Sequence, residues 1–579
     1  MKALLGMVCI GVVACGGGQK AKPAATQASS DAPVVQRPDH AHGHDHGDAG
    51  PPALRLDQIA TGAALLPELG THTRPITTTS KEAQAYFDQG LRLIYGFNHD
   101  EAARSFAKAA LLDPKCASCY WGLALVLGPN YNVPMLPDRF PAAWDALQSA
   151  QRNASSAKPV EQALISALAK RYPGPTPKDP MQMAPFNQAY ADAMKAVAAK
   201  FTDDDDVQVM YAESLMDLNP WHLWTPDGKA APNTDDIVKA LETVLARSVN
   251  HPGANHYYIH AIEASPHPER AEPSADRLAK LIPNAGHIVH MPAHIYQRVG
   301  RYADASKTNQ AAVAVDLGYM SKAPAWGYYP MYLVHNYGFL AYSSSMLGRS
   351  AESIEAARNA AKNFPPPMLE MMPGMDFFIA EPLLVMVRFG KWDQLLAEPR
   401  PNAKYQTLTG LWLHAHGMAL AATGKLDEAA KDLAELKALR DAIPAEIVAT
   451  INSAKDIVGL SAAILEADLA SKAKDPKALE LWAAAVALED KTAYSEPADW
   501  FYPVRHYQGA ALLAAKKYKD AEAVYRADLT KNPENGWALW GLAESLAKQG
   551  KKAEAAKVQK RFDKAWPDED IKLTTTAYQ

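Results

Sequence analysis

His256-x-x-x-His260 recurs as His290-x-x-x-His294, and both members move by the same step, 290 − 256 = 294 − 260 = 34 residues. Residues i and i+4 share one face of a helix, and ~34 residues is the length of a repeat made of two antiparallel helices. The two His pairs therefore occupy equivalent places in consecutive repeats. Packed helices lie ~8–10 Å apart, so imidazoles reaching inward from both meet a single ion at Zn–N distances of ~2.0–2.1 Å. Neutral imidazole suits Zn, Cu, Fe or Ni rather than Ca or Mg. The same rings also serve as a metal-free polar ligand groove or as hydrogen-bonded packing residues, and sequence alone leaves all three open.

Repeats must position these rings. Gly536 to Pro567 carries Leu539, Leu542 and Ala543 for packing, Gly550 at a turn, Ala555, and Trp566-Pro567 as a stop. Tyr502 to Pro533 (Gly509, Ala521, Tyr525) and Ala83 to Pro114 (Gly90, Ala102, Phe106, Ala109) follow the same pattern, and Tyr120 to Ala124 opens another unit. Gly300, Gly348, Gly390 and Gly424 mark further turns. No stretch alternates as a strand does, so the fold class is all-α, an α-solenoid. Segments 129–160, 217–235, 316–333 and 485–503 are rich in Pro and aromatics, such as Trp221-His222-Leu223-Trp224 and Trp326-Gly327-Tyr328-Tyr329-Pro330. They read as insertions that roof the concave groove or pack between repeats.

This pattern resembles the tetratricopeptide repeat superfamily over roughly residues 76–567. The strings around His256 and His290 are similar to those of large secreted bacterial lipoproteins of that superfamily. The resemblance implies a scaffold rather than a particular chemistry. With Gly300 as the turn glycine, it implies that His287, His290 and His294 sit at the second, fifth and ninth positions, which face the groove. His256 and His260 then take the fifth and ninth of the preceding repeat, His335 the second of the next, and Glu213 the ninth of the repeat before His256. His414 and His506 land at fifth positions, and His99 at a turn. Relatives that capture a C-terminal carboxylate carry Lys, Arg and Asn there, so His favours a metal or an anion. The candidate metal set is His256, His260, His290, His294, His335 and Glu213.

The chain ends differently at its N-terminus. Met1-Lys2 and the short apolar run to Ala14 read as a signal peptide, too short to span a bilayer. Val12-Val13-Ala14-Cys15 resembles the bacterial lipobox, which implies lipidation at Cys15 and an extracytoplasmic place in the envelope, periplasmic or on the outer membrane. Residues 16–75 read as a disordered tether, with His40, His42, His44 and His46 forming a loose metal-capturing tract. The organisation expected is signal peptide 1–15, tether 16–75, helical repeats 76–235, central repeats with the His cluster 236–365, further repeats 366–490 and a C-terminal pair 491–579. Net charge is −5 with no long basic stripe, so no nucleic-acid partner is expected. Cys116-x-x-Cys119 lacks a following His, which excludes covalent haem attachment. Helix-start packing is the reading preferred over a redox or metal role.

Three functions follow. The first is a lipid-anchored scaffold holding a transition metal and offering it to a protein or small-molecule ligand in the groove. The second is a metal-dependent hydrolase or oxygenase, with Glu213 or Glu263 taking a proton from bound water. The third is a metal-free interaction scaffold.

Overall fold

Short polar residues start the helices and glycines end them. Ser80, Asn98, Asp204 and Asn535 each accept a backbone N–H from the first turn of the helix they precede, satisfying donors that the helix itself leaves free. The expected turn glycines Gly300, Gly348, Gly390, Gly424 and Gly550 all have positive φ, between 61° and 83°. The computed structural model describes residues 54–579 apart from 177, 323–326, 568–569 and 579. Cys15 and the tract from His40 to His46 lie outside the described residues. Among the described residues there are antiparallel helix pairs and no β-strand. None of their helices is long and apolar enough to cross a membrane.

Repeat packing follows from residue size. Phe106 fills the space left by Gly90 in its own unit and Gly122 in the next, where an added Cβ would lie 2.5–2.9 Å from the ring. Tyr525 does the same for Gly509 and Gly541, at 2.2–2.6 Å. One aromatic wedged against two glycines sets the spacing of each pair of repeats, because interiors tolerate neither overlap nor voids.

The stretch 54–75, read as tether, is not free at this end. Leu56–Ile59 forms a short helix, and Ile59 and Leu69 are buried. Arg74 pairs with Asp204 and Asp206 at 2.7 and 3.1 Å. Asn284 donates to the carbonyls of Glu68 and Pro67. The sequence signal was weak because this segment buries few residues of its own and is held by polar bonds to distant repeats.

The C-terminal repeats return onto the central ones. Trp537 donates its indole N–H to the Ser345 carbonyl at 2.8 Å. The Asp570 carboxylate accepts the backbone N–H groups of Ser350 and Ala351, both at 2.7 Å, at the start of helix Ser350–Asn363. Such an anion suits the positive end of a helix. Cys116 precedes the helix Ala117–Val126 and is disulfide-bonded to Cys119 in its first turn. Both sulfurs are committed to that bond at a helix start, and neither is a free thiolate ligand.

Candidate metal centre

Four helices bring the histidines together. His256 and His260 lie on Pro252–Ile262, His335 on Pro330–Met346, and His287 and His290 on the short helix Gly286–His290. His294 follows on Pro292–Arg298. Pro292 removes one helical N–H, but Met291 keeps helical dihedrals (φ −51°, ψ −34°), so His290 and His294 still share a face. Their Nε2 atoms are 2.7 Å apart. All these rings are buried at 0–2% exposure except His335, which is half-buried.

The cluster is an enclosed interior and not an open concave face. Each expected insertion contributes to the wall. Tyr131 and Trp221 stand 5.1 and 5.8 Å from His260 between ring centres, and Tyr332 lies 4.5 Å from His287. Glu496 reaches Nδ1 of His294 at ion-pair distance. Phe97 stacks on His260 and His287 at 5.8 and 5.5 Å.

The ring orientations share one feature. Nδ1 of His256 faces the Tyr95 carbonyl at 2.6 Å, where only an N–H fits. Nδ1 of His260 faces Glu263 Oε1 at 2.8 Å and Nδ1 of His294 faces Glu263 Oε2 at 2.5 Å. Nδ1 of His290 faces Asn309 Oδ1 at 2.6 Å, while the Asn309 amide N–H is given to the Ala305 carbonyl. In all four rings Nδ1 is tied to an outer acceptor. Nε2 of His256 and of His260, and both nitrogens of His287, are buried without a hydrogen-bond partner. An outward Nδ1–H that fixes the tautomer and leaves Nε2 free is how metal-ligating histidines are held.

Burial, reinforced by neighbouring imidazoles, holds His256, His287 and His290 well below the ordinary imidazole pKa. It lowers His260 and His335 to about 3. Those rings are neutral at pH 7 and present lone pairs. His294 differs. Burial opposes its charge, yet Glu496 and Glu263 outweigh burial and raise it to about 10. It is an imidazolium in the metal-free protein and donates from Nε2 to His290. A metal at His294 must displace that proton.

Five of the six residues named from the sequence come together, in two groups. Within 4.8 Å of one another lie one ligand atom each of His256, His260 and His287, and likewise of His290, His294 and His335. Glu213 joins neither group. It sits against Asp217 and Arg171, where burial and the Asp217 charge push its carboxyl well up. Its helix, Asp205–Met216, aims it toward the Arg171–Asp217 ion pair (2.7 Å). Glu263 is an outer-shell acceptor with both oxygens engaged and is not placed as a free base. His287, named only by register, completes the first triad. Asn309 and Glu496 carry no sequence signal, since their partners are distant in the chain.

Other histidines are structural. His99 is buried, with Nδ1 3.1 Å from the Asn130 amide nitrogen. His251 accepts the Ala254 N–H at Nδ1, so its Nε2 proton goes to Asp206, which Arg74 also holds. That carboxylate is already satisfied. His506 lies between Arg388 and Asp528. His414 bridges the Ser461 carbonyl and Tyr502 hydroxyl at 2.9 and 2.8 Å, and burial lowers it to about 4. Between pH 6.5 and 4 the unfolded chain binds a proton at His414 that the native one does not. Its contribution is therefore intact above pH 6.5 and lost as pH falls, by about 3 kcal/mol in all. Urea unfolding at pH 7 and pH 4 should show wild type losing that much more than His414→Gln; equal losses would refute the assignment.

Residues 512–570 match the tetratricopeptide repeat family. That C-terminal segment carries tetratricopeptide repeats. Among solved structures it is similar to the human IFIT1 dimer with m7Gppp-AAAA, at 13% identity over 84% of this chain and 95% of that one, TM-score 0.33. Yeast Tom70 shows 14% identity over 84% and 91%, TM-score 0.28. The P58(IPK) TPR domain shows 12% over 81% and 99%, TM-score 0.21. At these scores the superhelices do not superpose as wholes. The expected absence of a nucleic-acid partner gains no support from these likenesses. No curated protein matches the chain.

Proposed function

We propose that this protein is a lipid-anchored, extracytoplasmic scaffold whose buried imidazole cluster holds a transition metal, zinc, copper, iron or nickel. The observation that carries the reading is the shared orientation of His256, His260, His290 and His294, with Nδ1 tied outward. Nε2 of His256 and of His260 and both nitrogens of His287 are buried together without partners, at ~1–3 kcal/mol each, a cost that a shared ion would remove. Burial of the cluster favours a small ligand over a protein segment. The test is metal content and thermal unfolding of the chain with His40, His42, His44 and His46 changed to Ser, which removes the loose tract. A ligand present at ~1,000 times its Kd stabilises by ~4 kcal/mol, so the melting temperature should rise with zinc. Absence of metal, with no shift from Zn, Cu, Fe, Ni or Mn, would end this reading in favour of a metal-free polar site.

The anchor rests on Val12-Val13-Ala14-Cys15. Cys15→Ser should move the protein from the membrane pellet to the soluble fraction. Retention in the pellet after a carbonate wash would refute it.

One observation favours a second reading, a metal-dependent enzyme. A cavity lined by His335, Glu496, Glu381, Phe377, Phe378 and Phe501 opens beside the cluster. Burial raises Glu381 to about 8, and burial together with Glu263 raises Glu496 to about 7. Carboxyls poised near neutrality beside a metal suit proton transfer. They take the role first assigned to Glu213 or Glu263.

A further inference from the structure

We infer that the cluster is built for two transition-metal ions, one held by His256, His260 and His287 and the other by His290, His294 and His335. This rests on the metal reading above and goes beyond it in number, ligand set and arrangement. The two triads share no residue, and in each the ligand nitrogens lie within 4.8 Å of one another. Tetrahedral coordination at ~2.0–2.1 Å sets nitrogens about 3.3 Å apart, inside that bound. A single ion in the second triad would leave Nε2 of His256 and of His260, and both nitrogens of His287, buried and unpartnered. A single ion in the first would leave His290 and His294 facing each other at 2.7 Å with His335 idle beside them, 4.8 Å from His290 between ring centres.

Glu263 joins the two sets from behind. One carboxylate oxygen takes the Nδ1–H of His260 from the first triad, and the other takes that of His294 from the second. The triads are also neighbours. His260 and His294 are 5.7 Å apart and His287 and His290 are 6.0 Å apart, within the 4.7–6.1 Å found inside the triads. Three nitrogens leave a fourth position open on each ion. Adjacent open positions suit a small bridging anion such as hydroxide. An all-imidazole set selects zinc or copper over the harder Mg, Ca or Mn.

The test uses the full chain carrying His40→Ser, His42→Ser, His44→Ser and His46→Ser, loaded with zinc, desalted and analysed for zinc per chain. The expected count is two. It should fall to one in His256→Gln/His287→Gln and to one in His290→Gln/His335→Gln, with helical circular dichroism retained. One zinc in the parent overturns the two-ion inference and leaves the metal reading standing; none overturns both. Loss of both ions from either variant with an unchanged spectrum overturns the one-per-triad assignment. Should a variant fail to fold, the parent count still decides between two ions and one.

Discussion

His294→Ala should strip metal from the cluster and destabilise the metal-free chain as well. His294 touches Glu263, Glu496 and His290 at once. Removing it deletes a ligand and leaves buried carboxylates without their cation. Loss of one member of a buried charge pair costs ~3–5 kcal/mol, and the lower end applies here because His260 still donates to Glu263. Metal affinity should fall by more than the ~10–100-fold that follows loss of an outer-shell partner. Zinc titration and urea unfolding read the two effects separately. His267→Ala is the control, since that side chain is 69% exposed and meets only Glu269. His99 stands at a turn but cannot serve as an inert control. It is buried with its ring 6.0 Å from Phe97, which stacks on His260 and His287. If His294→Ala keeps full zinc content and stability, His294 neither binds metal nor balances the carboxylates.

Gly300→Val should be a strongly damaging turn substitution. Gly300 has φ +82°, and a Cβ there would lie 2.5 Å from the Pro533 carbonyl oxygen and 2.9 Å from Glu534 Cβ. The left-handed backbone alone costs ~1–2 kcal/mol for an L-residue, and overpacking adds ~1–3 kcal/mol. Gly424 has the same conformation, φ +83°, with nothing within 4 Å of an added Cβ. Gly424→Val should therefore show the backbone cost only. The difference between the two variants in chemical unfolding isolates the contact between the central and C-terminal repeats. Equal losses would show that this contact contributes nothing.

How much was legible follows from the range of each interaction. The turn glycines and the Gly–aromatic pairs could be read because each repeat packs on itself and its neighbour, and that packing recurs at fixed spacing. The His pairs could be read for the same reason, since i, i+4 on one helix and one repeat length between helices are local rules. His287 was in register but outside the chosen set, because register does not say which way a ring turns. Glu213 fits the same register and lies against Arg171 and Asp217 instead, for the same reason.

Short-range periodicity is enough to specify the helical repeat, the turns and the placing of imidazoles on consecutive inner helices. Closure of the groove depends on contacts between distant parts of the chain. Tyr131, Trp221, Tyr332 and Glu496 come from four separate insertions, and Glu496 lies more than 200 residues from the ring it meets (496 − 294). The tertiary structure likewise decides that Glu263, Asn309 and the Tyr95 carbonyl hold the Nδ1 atoms and leave Nε2 inward. These choices depend on the path of the superhelix, which sums small rotations between repeats, and no local pattern in the chain encodes that sum.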